Sequence, residues 1–97
     1  MRVYDKGMIE IKKDKNRYFR SSSFPLAVFL FSKGEQIVGI SPTENPGKKE
    51  FAFIKTDRLE ELVEIFKFGE NDDPELLVSI RLVEQARRQL MDRLNDG

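Results

Sequence analysis

Residues 21–34, which read SSSFPLAVFLFSKG, decide the fold of this chain. The serine hydroxyls can cap a helix, and Pro25 then falls at or near the first helical position, where its missing N–H group costs nothing. The run 26–31 is apolar on every side, which suits a buried strand as well as a helix. The serine and proline start, together with Gly34 just after the last turn, favours a helix. A short helix that is apolar all round belongs at the centre of the domain.

Strands are predicted on both sides of this helix. Before it, residues 8–20 predict a β-hairpin whose turn is formed by residues 13–16. After it, residues 36–41 predict a strand in which Gly39 indicates a bulge or a close packing contact. Residues 50–55 carry apolar side chains on both faces, which is typical of a central strand. We therefore expect an antiparallel meander of the last two strands, with the hairpin joined at one edge.

Two helices are predicted in the C-terminal part of the chain. Asp57 followed by Glu60 resembles a capping box, and Gly69 closes this helix. Asp73 and Pro74 form a second start signal, which predicts one continuous helix that runs to about residue 94. The apolar side chains that repeat at helical spacing are Leu59, Leu62, Val63 and Phe66 in the first helix, and Leu76, Ile80, Val83, Leu90 and Leu94 in the second, where Ala86 and Arg87 fill one step.

The predicted order of elements is β-β-α-β-β-α-α, over a single domain that covers residues 1–97. This order predicts an α+β fold, in which a small antiparallel sheet holds one buried helix and two C-terminal helices pack on it.

The composition excludes several kinds of chemistry. The 97 residues include no Cys and no His, so the chain has no disulfide framework, thiolate nucleophile or imidazole base. The acidic residues between 70 and 75 lack the spacing of a calcium loop, and the loop around Gly47 has too few glycines for a phosphate loop. We therefore expect a non-enzymatic protein with no catalytic residues, no bound metal and no cofactor.

Neither a signal peptide nor a membrane span is expected. Residues 1–20 have no apolar core of the kind that a signal peptide needs. The longest apolar run, 26–31, has six residues, whereas a span needs roughly 20. The sequence therefore predicts a soluble, cytoplasmic protein without a membrane partner.

Charge is balanced over the whole chain but not along it. The chain holds 17 basic and 17 acidic residues, yet residues 1–20 hold seven basic against three acidic ones. Residues 57–75 hold two basic against eight acidic ones. Three readings stay open, because the two segments can attract each other, both can be solvated, or the basic segment can contact a polyanion.

Nucleic acid is the polyanion that the basic segment suggests. Cations pair with phosphates, and aromatic faces stack on unpaired bases. Two arginines seven residues apart on the last predicted helix form a second basic surface. The candidate nucleic-acid-binding residues are Lys12, Lys13, Lys15, Arg17, Tyr18, Arg20, Arg81 and Arg88. The first expectation is thus a small binding module that contacts nucleic acid or a nucleic-acid-bound protein.

A protein–protein adaptor is the alternative. Leu77, Leu82 and Met91 fall off the main apolar stripe of the last helix, so they are candidates for burial against another chain. This pattern predicts a homodimer, or a partner helix, that binds through the C-terminal helix.

Several short motifs are spread along the chain. They are Tyr18-Phe19-Arg20-Ser21-Ser22-Ser23, Leu26-Ala27-x-x-Leu30 with Lys33-Gly34, Ile37-Val38-Gly39, Phe51-x-Phe53, Leu59-x-x-Leu62 with Phe66, Gly69, and Asp73-Pro74. Together they resemble a small prokaryotic domain family of unknown function, over residues 18 to about 90, with residues 1–17 outside the match. The resemblance implies stand-alone proteins of bacteria, archaea and their mobile elements, without an assigned activity. It makes an accessory protein of a mobile element or phage the expected setting for the binding module.

Overall fold

The structure, a computed structural model, describes residues 17–96. The first strand and the turn of the predicted N-terminal hairpin lie outside the described residues. Within them the fold is α+β, with a three-stranded antiparallel sheet and three α-helices in the order β-α-β-β-α-α. The elements are β1 (Tyr18–Ser21), α1 (Phe24–Ser32), β2 (Ile37–Pro42), β3 (Lys49–Ile54), α2 (Asp57–Phe68), a 3₁₀ turn (Pro74–Leu76) and α3 (Ile80–Asp96).

The strand β3 lies at the centre of the described sheet, as its sequence predicts. It pairs antiparallel with β1 on one side and with β2 on the other. Phe51 and Phe53 are buried in the core, and Ala52, on the other face of the strand, is also buried although it lies outside the core cluster. The pairing with β2 shifts register between Ile37 and Gly39, which confirms the predicted bulge.

The helix α1 begins and ends where residues 21–34 predict. The Ser23 hydroxyl accepts a hydrogen bond from the Leu26 N–H group at 3.3 Å, and Pro25 lies in the first turn. Gly34 has a φ of 91°, which a residue with a Cβ atom adopts only under strain. Residues 26–30 are buried and form the centre of the core.

The N-cap of helix α2 lies one residue earlier than the spacing of Asp57 and Glu60 predicts. Thr56, and not Asp57, is the N-cap: its backbone is extended, and its Oγ1 atom accepts the Leu59 N–H group at 3.0 Å. Asp57 is instead the first helical residue, where its charge faces the positive end of the helix dipole. The prediction of Asp57 as the N-cap rested on its spacing to Glu60 and is wrong. Threonine and aspartate are both favoured at N-caps, so residue type does not decide between Thr56 and Asp57.

The prediction of one continuous helix from Pro74 is wrong. Asp73 does cap a start, since its Oδ1 atom accepts the Glu75 N–H group at 2.8 Å, but the helix is a single 3₁₀ turn. The chain leaves helical geometry at Leu77, with φ −88° and ψ 76°, and α3 starts at Ile80. The break lets Leu76 and Val78 both pack against the core, which one straight helix would not permit.

This break also changes the inward face of the last helix. Val83, Ala86, Leu90 and Leu94 pack against the core, where α3 contacts α1. Ile80, which the spacing placed on the same stripe, is 76% exposed. The prediction for Ile80 is therefore wrong. At helical spacing Ile80 lies on the same side of α3 as Glu84 and Met91, which are also exposed.

Candidate functional site

The acidic segment that follows α2 is a structural junction. The Glu75 carboxylate contacts Lys33 Nζ at 2.7 Å and Arg58 Nη1 at 3.5 Å, so it joins the end of α1, the first turn of α2 and the 3₁₀ turn. Its hydrogen bond to Lys33, followed by that to Arg58, holds the pKa of Glu75 below its ordinary value of 4.5. Within residues 17–96, no three acidic side chains converge as they would around a cation.

This junction makes the free energy of unfolding depend on pH in the acidic range. Because the folded-state pKa of Glu75 is lowered, its ionised form stabilises the protein above pH 4.5, and that stabilisation is lost as the pH falls through the folded-state value. We expect Glu75→Gln to lower the free energy of unfolding at pH 7, and the difference from the parent chain to shrink steadily below pH 4.5. Urea unfolding at a series of pH values measures it, and a difference that stays constant on acidification would contradict the assignment.

The structure describes only part of the basic segment 1–20. Lys12, Lys13 and Lys15 lie outside the described residues. Arg17 is exposed, and its carbonyl accepts the Lys55 N–H group at 2.8 Å. Arg20 lies 3.8 Å from Glu50 and 5.8 Å from the centre of the Tyr18 ring. A neighbouring acid thus partly neutralises Arg20. Tyr18 itself is half-buried in the strand β1.

The second predicted basic surface lies on the exposed side of α3. Arg81 and Arg88 are exposed, and a shallow depression between them is lined by Ile80, Glu84 and Gln85. Neither arginine forms an ion pair with another residue of 17–96. This described part of the chain nevertheless holds 12 basic and 14 acidic side chains, so it lacks the positive excess that is typical of a nucleic-acid-binding domain.

The three predicted interface residues are exposed, but they do not share a face. Leu77 is 68% exposed, Leu82 50% and Met91 41%. Nine residues separate Leu82 from Met91, which is two and a half helical turns, so the two side chains project from opposite sides of α3. Leu82 lies beside Phe31 of α1, and Met91 lies on the side of Phe51. One flat partner surface therefore cannot cover both.

A continuous exposed strip on α3 was missed. It consists of Ile80, Glu84, Arg87 and Met91, all exposed, and is called the α3 strip below. The spacings of four, three and four residues place them on one side of the helix over about 16 Å. Its ends are apolar and its middle carries one acid and one base. The spacing of these four residues can be read from the sequence, but the strip was not predicted because Ile80 was assigned to the core.

An acidic groove between β1 and α2 was also missed. It is open to solvent, has a volume of about 760 Å³, and includes the apolar side chains of Phe19, Val63 and Ile65 in its wall. Its other lining residues are Lys55, Asp57, Glu60, Glu61 and Glu64. These acids belong to the acidic segment 57–75, for which the sequence leaves a solvated surface as one of its readings. What the sequence does not show is that β1, the outer strand of the described sheet, lies alongside them, so that this helix face borders a groove.

The comparisons with known proteins found no relative of this chain. No protein-family model, no curated protein and no solved structure matches the chain. The similarity to a small prokaryotic family, and the setting in a mobile element, therefore stay predictions. Among residues 17–96 there is no helix with both the length and the apolar character needed to cross a bilayer. The cytoplasmic location likewise stays a prediction.

Proposed function

We propose that this domain is a non-enzymatic protein-interaction module that works as a homodimer, in which the α3 strips of two copies pack antiparallel. The observation that carries the proposal is the exposure of large apolar side chains at both ends of one helix side, with Ile80 76% and Met91 41% exposed. Exposed apolar side chains rimmed by charged ones are typical of protein-binding surfaces. A dimer would present every other surface of the domain twice to a further partner.

The order of residues along the strip supports two-fold symmetry. In an antiparallel pair of identical helices related by a two-fold axis, each contact occurs twice. If Ile80 faces Met91 of the second copy, the same register places Glu84 opposite Arg87 of the second copy. Apolar side chains then meet apolar ones, and each acid meets a base. The strip is thus complementary to itself, as an isologous interface requires.

The size of the strip sets the expected strength. A stable interface buries about 800 Å² on each partner, and one strip of four side chains over three helical turns offers less than that. We therefore expect a reversible monomer–dimer equilibrium with a dissociation constant in the micromolar range. Small interfaces of this kind are typical of transient assemblies.

Reversal of one charge tests the register. We expect Glu84→Arg to raise the dissociation constant about tenfold, because two symmetry-related attractive contacts become repulsive at once. The double variant Glu84→Arg, Arg87→Glu should restore it close to the parent value, since each base again meets an acid. Sedimentation equilibrium over a range of protein concentrations measures the three dissociation constants.

The matched control lies on the opposite side of the same helix. Leu82→Gln removes an apolar side chain that is 50% exposed, yet it should leave the dissociation constant unchanged because Leu82 is not on the strip. If Leu82→Gln weakens the dimer more than Glu84→Arg does, the wrong side of α3 has been chosen. A parent chain that stays monomeric at millimolar concentration would refute the homodimer outright.

Nucleic-acid binding is the second candidate, favoured by the exposed arginines Arg81 and Arg88 that have no ion-pair partner among residues 17–96. Fluorescence anisotropy with labelled single-stranded and duplex oligonucleotides, at about 50 and 200 mM salt, separates it from the adaptor. Binding that falls steeply with salt and is lost in Arg81→Glu, Arg88→Glu would favour this candidate. An absence of binding at the lower salt concentration would exclude it.

A further inference from the structure

The acidic groove between β1 and α2 lies directly beside the point where the N-terminal segment joins the described fold. Phe19 of β1 and Lys55, at the end of β3, both line it. The Lys55 N–H group donates to the Arg17 carbonyl at 2.8 Å, so residue 17 is held at the edge of the groove. The sixteen residues that precede it can extend over about 55 Å, so the whole length of the groove is within their reach.

The charges of the groove and of this segment are opposite. Four acids of α2 line the groove, and Glu60 is paired with Lys55 at 3.3 Å. Asp57, Glu61 and Glu64 form no ion pair with any other residue of 17–96. Residues 1–16 hold five basic side chains against three acidic ones, and three of the bases fall within residues 12–15.

The apolar content also matches. The groove wall includes Phe19, Val63 and Ile65, each of which is only partly buried by the described residues. The segment carries Met8, Ile9 and Ile11 immediately before its three lysines. Apolar side chains next to a basic cluster are what a groove with an apolar wall and an acidic rim can hold, since burial and charge pairing then act together.

We propose that the groove between β1 and α2 is the docking site of the chain's own N-terminal segment, residues 1–16. Its apolar side chains cover the wall of the groove, and Lys12, Lys13 and Lys15 neutralise Glu61, Glu64 and Asp57. The same lysines are among the nucleic-acid-binding residues that the sequence predicts. Docking therefore occupies them within the chain, and a polyanion must compete with the groove to bind them. This inference concerns a different surface from the α3 strip and does not depend on the homodimer.

Limited trypsin digestion of the full-length chain tests the docking. Trypsin cleaves after lysine, and cleavage of a segment that opens and closes rapidly follows the fraction that is open. In the double variant Glu61→Gln, Glu64→Gln we expect cleavage after Lys12 and Lys13 to become about fivefold faster, because two exposed charge contacts are lost. Mass spectrometry of the fragments measures the cleavage rates. Cleavage after Arg58, within α2, serves as the internal reference for opening of the whole fold.

A variant with the same change of charge elsewhere is the control. Glu44→Gln, Asp92→Asn also removes two exposed acids, but neither lines the groove, so the cleavage rate should stay at the parent value. Equal rates in the parent and the groove variant would overturn the proposal. Protection that disappears on dilution would overturn it as well, since the segment would then be docked in a second copy. Protection that is independent of concentration and lost only in the groove variant supports docking within one chain.

Discussion

Phe53→Ala is expected to lower the free energy of unfolding by about 3–5 kcal/mol. Phe53 is completely buried in the central strand, and its pairing partners are Phe19 on β1 and Ile37 on β2. Removal of the ring leaves a cavity, because the surrounding strands and helix can relax only partly into the space. A domain of this size is stabilised by only about 5–15 kcal/mol, so the variant should be marginally folded at 37 °C.

Urea unfolding followed by circular dichroism, at one fixed protein concentration, measures this loss. Phe68→Ala is the matched control, because Phe68 is 77% exposed at the end of α2 and its removal should change the free energy of unfolding by less than about 0.5 kcal/mol. A loss at Phe53 no larger than that at Phe68 would contradict the placement of β3 at the centre of the core.

Gly69→Ala is expected to cost about 1–3 kcal/mol, although its backbone is ordinary. Gly69 has a φ of −71°, which any residue adopts, so conformational freedom is not the reason for the glycine. Its N–H group closes α2 on the Ile65 carbonyl at 2.8 Å, and an added Cβ atom would lie 2.6 Å from that same oxygen. The alanine can fit only if this closing hydrogen bond is lost or the end of the helix moves.

The control for this substitution is Gly39→Ala. Gly39 lies at the bulge of β2, has no positive φ, and an added Cβ atom would meet nothing within 4 Å. We expect a change near zero, or a slight gain, because alanine restricts the unfolded chain. Thermal unfolding of both variants compares them, and a larger loss at Gly39 than at Gly69 would refute the close-contact explanation.

Local signals predicted the central part of the fold well. The buried helix, its serine cap and its glycine end are all encoded within residues 21–34, so no distant contact is needed to find them. The central position of β3 follows from its two apolar faces, since an edge strand with one solvated face would alternate. The bulge at Gly39 was likewise readable from a glycine inside a strand pattern.

The elements that sequence reasoning missed depend on contacts between distant parts of the chain. Residues 77–79 contain no glycine or proline, and the one local signal for a helix start at Ile80 is Ser79, a residue type favoured at N-caps. The break is favoured because Leu76 and Val78 reach the core, and because Glu75 meets cations from two other helices. Such gains appear only after the helices have packed. The same break exposes Ile80 and so creates the α3 strip.

The acidic groove could not be predicted for a related reason. A run of acids on a helix is the same in sequence whether it faces solvent or borders a groove. The difference is made by β1, whose Phe19 lies opposite α2 because the strand pairs with β3 on the side away from β2. The charge asymmetry along the chain is a property of the sequence, and the proposed docking of residues 1–16 in the groove would be one physical explanation of it.

The most direct test of the proposed homodimer uses the absence of cysteine in the chain. In Ile80→Cys, Met91→Cys, the two introduced thiols lie about 16 Å apart along one helix, too far for a disulfide within the chain. Mild oxidation followed by peptide mapping should give a covalent dimer in which position 80 of one copy is linked to position 91 of the other. A covalent dimer with links of 80 to 80 and of 91 to 91 would contradict the antiparallel α3 interface.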